Sequence, residues 1–276
     1  MKIGVLGSGI MGNGIAQVFA MGGHLVVLVD IDGRALHNAR EKIEESLTKL
    51  SKKSNLDVQV VLGRIQFTTD KTALVNRDLI IEAVTENIDV KKKVFQELDE
   101  LCHEHTILAS NTSSLSVSEM AMTTKRPDRV CGLHFFNPVP LMKLVEVVGT
   151  EQTSADTLNT VQEVINTINK ESILVKDTPL FVVNRLLVPM LSEAIFLVEE
   201  GTASVEDIDK GMQLGASHPI GPLWLADMIG LDTLLFIQEA LYENTGDSKY
   251  KVPMLLKEMV EAGHLGRKTG KGFYEY

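Results

Sequence analysis

His134 and Glu146 are the two side chains whose types and setting could move a proton. His134 stands where the short apolar strand Val130-Cys131-Gly132-Leu133 ends, before a loop stiffened by Pro138 and Pro140. Glu146 lies among β-branched residues in the following strand, Lys143 to Val148. A carboxylate in so apolar a run needs a partner, because burying it unpaired costs several kcal/mol or forces protonation. An imidazole held by a carboxylate has a fixed tautomer and can serve as a general base. The competing reading is a structural histidine and a glutamate on the solvated face of a strand.

A second group of residues could hold a dinucleotide. Gly7, Ser8, Gly9, Ile10, Met11 and Gly12 follow directly on the apolar strand Lys2 to Leu6 and open a helix with Ile15, Val18 and Phe19 on one face. Such glycines permit a tight turn and let backbone N–H groups approach a pyrophosphate at a helix N-terminus. The next strand, His24 to Val29, ends at Asp30, about 20 residues beyond the glycine turn, as this type of site requires. Asp30 would accept from the adenosine ribose hydroxyls and repel a 2′-phosphate, which favours NAD over NADP. Arg34 places a cation nearby and leaves NADP open. The turn by itself would also fit an ordinary glycine-rich βα connection.

The elements that must position these residues alternate. Further strands are expected at Arg64 to Thr69, at Asp78 to Val84 (carrying Glu82), at Thr106 to Ser110 and at Ser172 to Lys176. Helical runs separate them at Arg34 to Lys53, Val90 to Leu101 and Thr153 to Lys170. This order predicts a Rossmann-type doubly wound, mostly parallel sheet over residues 1–179. Ligands of such sheets bind beyond the carboxyl ends of the strands. The glycine turn, Asp30, Glu86, the loop Ser110-Asn111-Thr112-Ser113-Ser114 and His134 all follow strand ends, which argues that His134 has a chemical task. Lys49, Lys52 and Lys53 cluster near the end of one helix. They fit either a solvated face or a patch for ligand phosphates.

Asp177-Thr178-Pro179 marks the domain boundary, and strand signals nearly vanish beyond it. Residues 180–276 read as an all-α unit, with Pro189 inside its first helix and a glycine-rich basic tail from Gly266 to Tyr274. Its many apolar positions predict buried contact with a second subunit, hence a homodimer through this unit. The net charge of −10 argues against general nucleic-acid binding. No stretch is apolar enough to cross a bilayer, and no basic leader precedes the apolar start. Cys102 and Cys131 form no disulfide or metal-ligand pattern, which points to the reducing cytoplasm. No metal site is expected.

With these residues in view, the chain resembles the L-3-hydroxyacyl-CoA dehydrogenases, and within them the short bacterial 3-hydroxybutyryl-CoA type, over essentially its whole length. Gly7 to Gly12, Ser110 to Ser114, Gly132 to Pro140 with Glu146, Val183-Asn184-Arg185 and Gly266 to Tyr274 carry the likeness. The resemblance implies reversible oxidation of (S)-3-hydroxybutanoyl-CoA to acetoacetyl-CoA by hydride transfer to NAD. It implies that His134 takes the 3-hydroxyl proton and Glu146 orients it. Ser113 and Asn184 would hold substrate oxygens, and Asn137 would lie beside the nicotinamide. Ser113, Glu86, Lys91 and Lys268 would contact the cofactor. Ser46, Lys53 and Ser113 would touch CoA. Two departures stand out: Leu180 and Ser217 occupy positions where the family commonly has glycine, which bears on acyl chain-length preference more than on activity. The remaining readings are a dehydrogenase of a non-CoA hydroxy acid or sugar acid on the same scaffold, and a binding or structural protein that keeps the nucleotide fold without catalysis.

Overall fold

Eight short strands build one sheet: β1 (Lys2–Leu6), β2 (Leu25–Val29), β3 (Ile65–Thr68), β4 (Leu79–Glu82), β5 (Ile107–Ser110), β6 (Val130–Phe135), β7 (Leu144–Gly149) and β8 (Glu171–Lys176). The computed structural model describes all 276 residues, and the strands lie in the order β3-β2-β1-β4-β5-β6-β7-β8. Every neighbouring pair is parallel except β6 and β7, which form an antiparallel pair. The continuous apolar runs are explained by burial on both faces. Ile3 and Val5 of β1, Val26 and Leu28 of β2, and Leu79 and Ile81 of β4 join one core. Leu6, Val27, Val29 and Ile80, alternating with them, join the other. The outer strand β8 is mostly exposed and carries Glu171 and Lys176 at its ends, charges that blunt an open sheet edge.

Six helices cover the two faces: α1 (Ile10–Met21), α2 (Gly33–Ser51), α3 (Val58–Leu62), α4 (Ile88–Leu101), α5 (Val117–Ala121) and α6 (Ala155–Thr167). α1, α2, α3 and α6 place Ile15, Phe19, Ile43, Leu47, Val61 and Val161 on the first core. α4 and α5 place Phe95, Leu98, Val117 and Met120 on the second. The short α3 was not expected from periodicity. Its start is held by Asp57, whose side chain accepts from the N–H groups of Gln59 and Val60.

The chain divides into two compact units, Met1–Phe181 and Val182–Tyr276. The second is all helical: α7 (Val183–Glu199), α8 (Val205–Gly215), α9 (Pro222–Ile229), α10 (Leu231–Thr245) and α11 (Met254–Glu261). Ser204 caps α8 by accepting from the N–H of Asp207. Two buried carboxylates organise the rest. Asp209 accepts from the N–H groups of Leu223 and Trp224 at the start of α9 and from the Tyr274 hydroxyl. Asp227 accepts from the N–H groups of Phe273 and Tyr274 and from the Tyr276 hydroxyl. The glycine-rich tail is therefore a pinned turn. A Cβ at Gly272 would lie 2.0 Å from Asp227 Oδ1.

Both departures from glycine sit in left-handed backbone: Leu180 has φ 62° and Ser217 φ 58°. Glycine adopts this region without steric cost, whereas an L side chain is strained there.

Candidate active site

The antiparallel register of β6 and β7 sets His134 directly opposite Glu146. His134 Nδ1 lies 2.7 Å from Glu146 Oε2, and both side chains are buried, at 6% and 0% exposure. An ionised carboxylate only accepts, so Nδ1 carries the proton, and in the neutral ring Nε2 holds the lone pair. The ring stands 4.5 Å from that of Phe136 and 5.7 Å from that of Phe181, an apolar frame on two sides. The end of β6 is also tied to the end of β5, because Asn111 Oδ1 accepts from the N–H of Phe135 at 3.0 Å. The arrangement can take a proton from, or return one to, a group placed at Nε2.

The glycine turn between β1 and α1 lies at the same carboxyl edge of the sheet. Gly7 has φ 102°, and a Cβ there would lie 2.5 Å from Ala83 O. At Gly12 the clash would be with Gly7 O, at 1.8 Å. At Gly9 a Cβ would meet nothing within 4 Å. Gly7 and Gly12 are thus required by the protein's own backbone, and Gly9 opens onto free space where a pyrophosphate could approach the first turn of α1. Ser8 gives Asp30 Oδ2 two hydrogen bonds, from its N–H at 2.7 Å and its hydroxyl at 2.8 Å. Asp30 Oδ1 accepts from the Asp32 N–H. Burial opposes the ionisation of Asp30, but these bonds outweigh it and hold its carboxyl below the usual range. An acceptor held ionised by its own donors beside a glycine cradle suits the adenosine ribose of a dinucleotide.

Glu86 and the loop after β5 form a third cluster. Glu86 Oε1 accepts from the Thr112 hydroxyl at 2.6 Å, the Ser113 N–H at 2.9 Å and the Ser113 hydroxyl at 3.3 Å. Burial opposes ionisation of Glu86, yet the nearby Lys91 ammonium and these donors hold its carboxyl below the ordinary value. Lys91 itself is only 1% exposed. Its Nζ donates to Glu82 Oε1 at 2.6 Å and lies 3.3 Å from Glu86 Oε2. Glu82 was noted on its strand in the sequence but given no role. The argument applied to Glu146, a carboxylate in an apolar strand, applies to it equally.

A groove of about 340 Å³ runs beside α1 and α2. Ile10, Lys42, Ser46, Lys49, Asn137 and Leu141 line it, so Ser46 and Asn137 come together there. Lys53 lies just past the end of α2, exposed and outside that lining. Lys42 and Lys49 line it on the same helix face as Ser46. The wall formed by Pro138 to Leu141 is anchored by Lys170, whose buried ammonium donates to Val139 O at 2.6 Å and Met142 O at 2.5 Å. Burial lowers the proton affinity of Lys170. In the helical unit, Asn184 sits in the first turn of α7, and Lys268 in the tail pairs with Asp232 at 2.5 Å.

Comparison with known proteins decides the lineage. The family model for the 3-hydroxyacyl-CoA dehydrogenase NAD-binding domain matches residues 2–178, and that for the C-terminal domain of the same enzymes matches residues 181–276. The chain belongs to the 3-hydroxyacyl-CoA dehydrogenase family. It is 50% identical to a 3-hydroxybutyryl-CoA dehydrogenase of Clostridioides difficile, covering 100% of this chain and 99% of that one. It is 48% identical to the human mitochondrial hydroxyacyl-coenzyme A dehydrogenase, over 99% of this chain and 90% of the relative. The crystal structure of an (S)-3-hydroxybutyryl-CoA dehydrogenase from Ralstonia eutropha superposes with a TM-score of 0.97 at 48% identity, covering 100% and 98% of the two chains. As a member of this dehydrogenase family the chain is an oxidoreductase with NAD as its cofactor, and the glycine cradle with Asp30 fits that group.

Proposed function

We propose that this dehydrogenase interconverts (S)-3-hydroxybutanoyl-CoA and acetoacetyl-CoA, with His134 as the proton-transfer group and Glu146 as its orienting partner. The observation that carries this reading is the 2.7 Å contact of His134 Nδ1 with Glu146 Oε2 at the carboxyl edge of the sheet. NAD, when bound, supplies the hydride acceptor. His134 Nε2 takes the 3-hydroxyl proton as the alcohol carbon is oxidised, and Glu146 offsets the positive charge that the ring acquires. Phe136 and Phe181 exclude water around the ring. In the reverse direction the same nitrogen returns the proton. Ser113 and Asn184 hold the substrate oxygens in this reading, and Asn137 flanks the nicotinamide side of the groove. Ser46, with the lysines of α2, takes the CoA phosphates. Asp30 takes the adenosine ribose. Glu86, Lys91 and Lys268 contact the cofactor in this reading, and Glu86 also accepts from the Ser113 N–H.

The assembly we propose is a homodimer through the helical unit. Leu186, Phe236 and Met254 are 71%, 57% and 58% exposed on its helices, and large apolar surface of this kind is commonly covered by a partner. We place the enzyme in the cytoplasm. Burial pushes the Cys102 thiol up to about 11 and that of Cys131 up to about 12, so both remain thiols. No helix is long and apolar enough to cross a membrane.

The test is steady-state oxidation of NADH by purified protein with acetoacetyl-CoA, alongside free acetoacetate. Turnover with the thioester and little with the free acid is expected. Absence of turnover with both NADH and NADPH ends the proposal, and equal rates with the free acid move the substrate class to a non-CoA hydroxy acid.

A further inference from the structure

Glu82 is 0% exposed at the carboxyl end of β4. Its Oε1 accepts from the Lys91 ammonium at 2.6 Å and from the Val84 N–H at 2.7 Å. Its Oε2 accepts from the Ser110 hydroxyl at 2.6 Å. The Ser110 hydroxyl oxygen in turn accepts from the Thr112 N–H at 3.2 Å. From the other side, Lys91 Nζ approaches Glu86 Oε2, and Glu86 Oε1 gathers donors from Thr112 and Ser113. Two routes therefore run from one buried carboxylate to the residues before and at Ser113, one through Ser110 and one through Lys91 and Glu86.

The cluster holds two carboxylates and one ammonium. A buried lysine between two glutamates is stable only while each carboxylate keeps its share of donors. If Glu82 loses its charge, Lys91 has a single anionic partner, Glu86, and is free to swing fully onto it. That movement would draw Glu86 Oε2 toward the helix and strip donors from Oε1, where Ser113 is held. We propose that Glu82 is a positioning residue for hydride transfer, acting through Lys91, Glu86 and Ser110 to fix the Ser113 hydroxyl. The proposal rests on the substrate-holding role given to Ser113 above. It also explains why Lys91 is buried with its donors turned to glutamates.

The test is a double-mutant cycle on kcat with Glu82→Gln, Ser113→Ala and the combination. Glu82→Gln is expected to lower kcat by about 10- to 100-fold, the scale of a misplaced catalytic group. In the Ser113→Ala background the same change should cost less than about twofold, because the group it positions is already gone. All kcat values are compared at saturating NADH, because Glu86 and Lys91 are also expected at the cofactor and a change in NADH affinity must not enter the cycle. Glu82→Gln paired with Lys91→Met removes one charge of each sign, leaves only the partly exposed Glu86 carboxylate, which keeps its Thr112 and Ser113 donors, and should give the same dependence on Ser113 if the single variant does not fold. Equal losses in both backgrounds at saturating NADH would overturn the proposal while leaving Ser113 in place. If Ser113→Ala leaves kcat unchanged, the role of Ser113 fails and this proposal with it.

Discussion

His134 and Asp30 show how single side chains are prepared for their tasks. His134 has its Nδ1 committed to Glu146, so only Nε2 faces the reaction. His134→Gln keeps an amide that can still reach Glu146 but cannot carry a proton. We expect kcat to fall by about 10²- to 10⁴-fold with NADH affinity close to that of the parent, checked by nucleotide fluorescence. Equal loss of NADH binding would mean that the ring serves structure. Asp30 predicts a pH dependence. Its carboxyl has an ordinary value of 3.8 and lies below that in the fold. The bonds to the ionised form therefore contribute stability that is present in full above pH 3.8 and is lost as pH falls through the lower folded value. Ser8→Ala removes one donor and should cost about 1 kcal/mol near neutrality. The deficit should shrink in acid, as thermal melts across a pH series would show.

Helix α2 decides which cations line the groove. Lys42, Ser46 and Lys49 recur at helical spacing and share the groove with Asn137, whereas Lys53 follows the helix end at Ser51. Lys49→Glu is expected to raise the KM for the thioester about tenfold and to leave that for NADH unchanged, as reversal of one phosphate contact would. Lys53→Glu should do less. A larger effect at Lys53, or equal effects on both ligands, would refute the groove assignment. The loop from Pro138 to Met142 is an element in the same sense. Two of its carbonyls are held by Lys170, so Lys170→Met should loosen the opposite wall of the groove. The expected result is a lower melting temperature with a raised KM for the thioester.

At the scale of the molecule, two features govern stability and assembly. Ser217 is exposed at φ 58°. Ser217→Gly removes the left-handed strain of an L residue, about 1–2 kcal/mol, against a smaller gain in unfolded-state freedom. A rise of a few degrees in melting temperature is expected, and a fall would show that the serine side chain stabilises the turn. Leu180 has the same backbone but is buried. Its replacement by glycine would add a cavity, so no gain is expected there. Phe236→Glu tests the assembly. The mass in solution by light scattering should drop from two chains to one. An unchanged dimer would place the contact elsewhere, and a monomeric parent would remove it.

The parallel sheet and the glycine turn could be read from residue order alone, because period-two burial and the clash at Gly12 are local consequences of backbone geometry. The helical character of the second unit was legible for the same reason, through caps such as Ser204. Apart from His134 with Glu146, which polar residues find one another was not legible, since pairing across the fold depends on register and on helix rotation. Glu82 and Glu146 look alike in the sequence, each a carboxylate in an apolar strand. Only the antiparallel pairing of β6 with β7 sends one to an imidazole, and only the rotation of α4 sends a lysine to the other. Lys53 and Lys49 likewise differ by a single turn of helix, and the place where α2 stops determines which of them lines the groove.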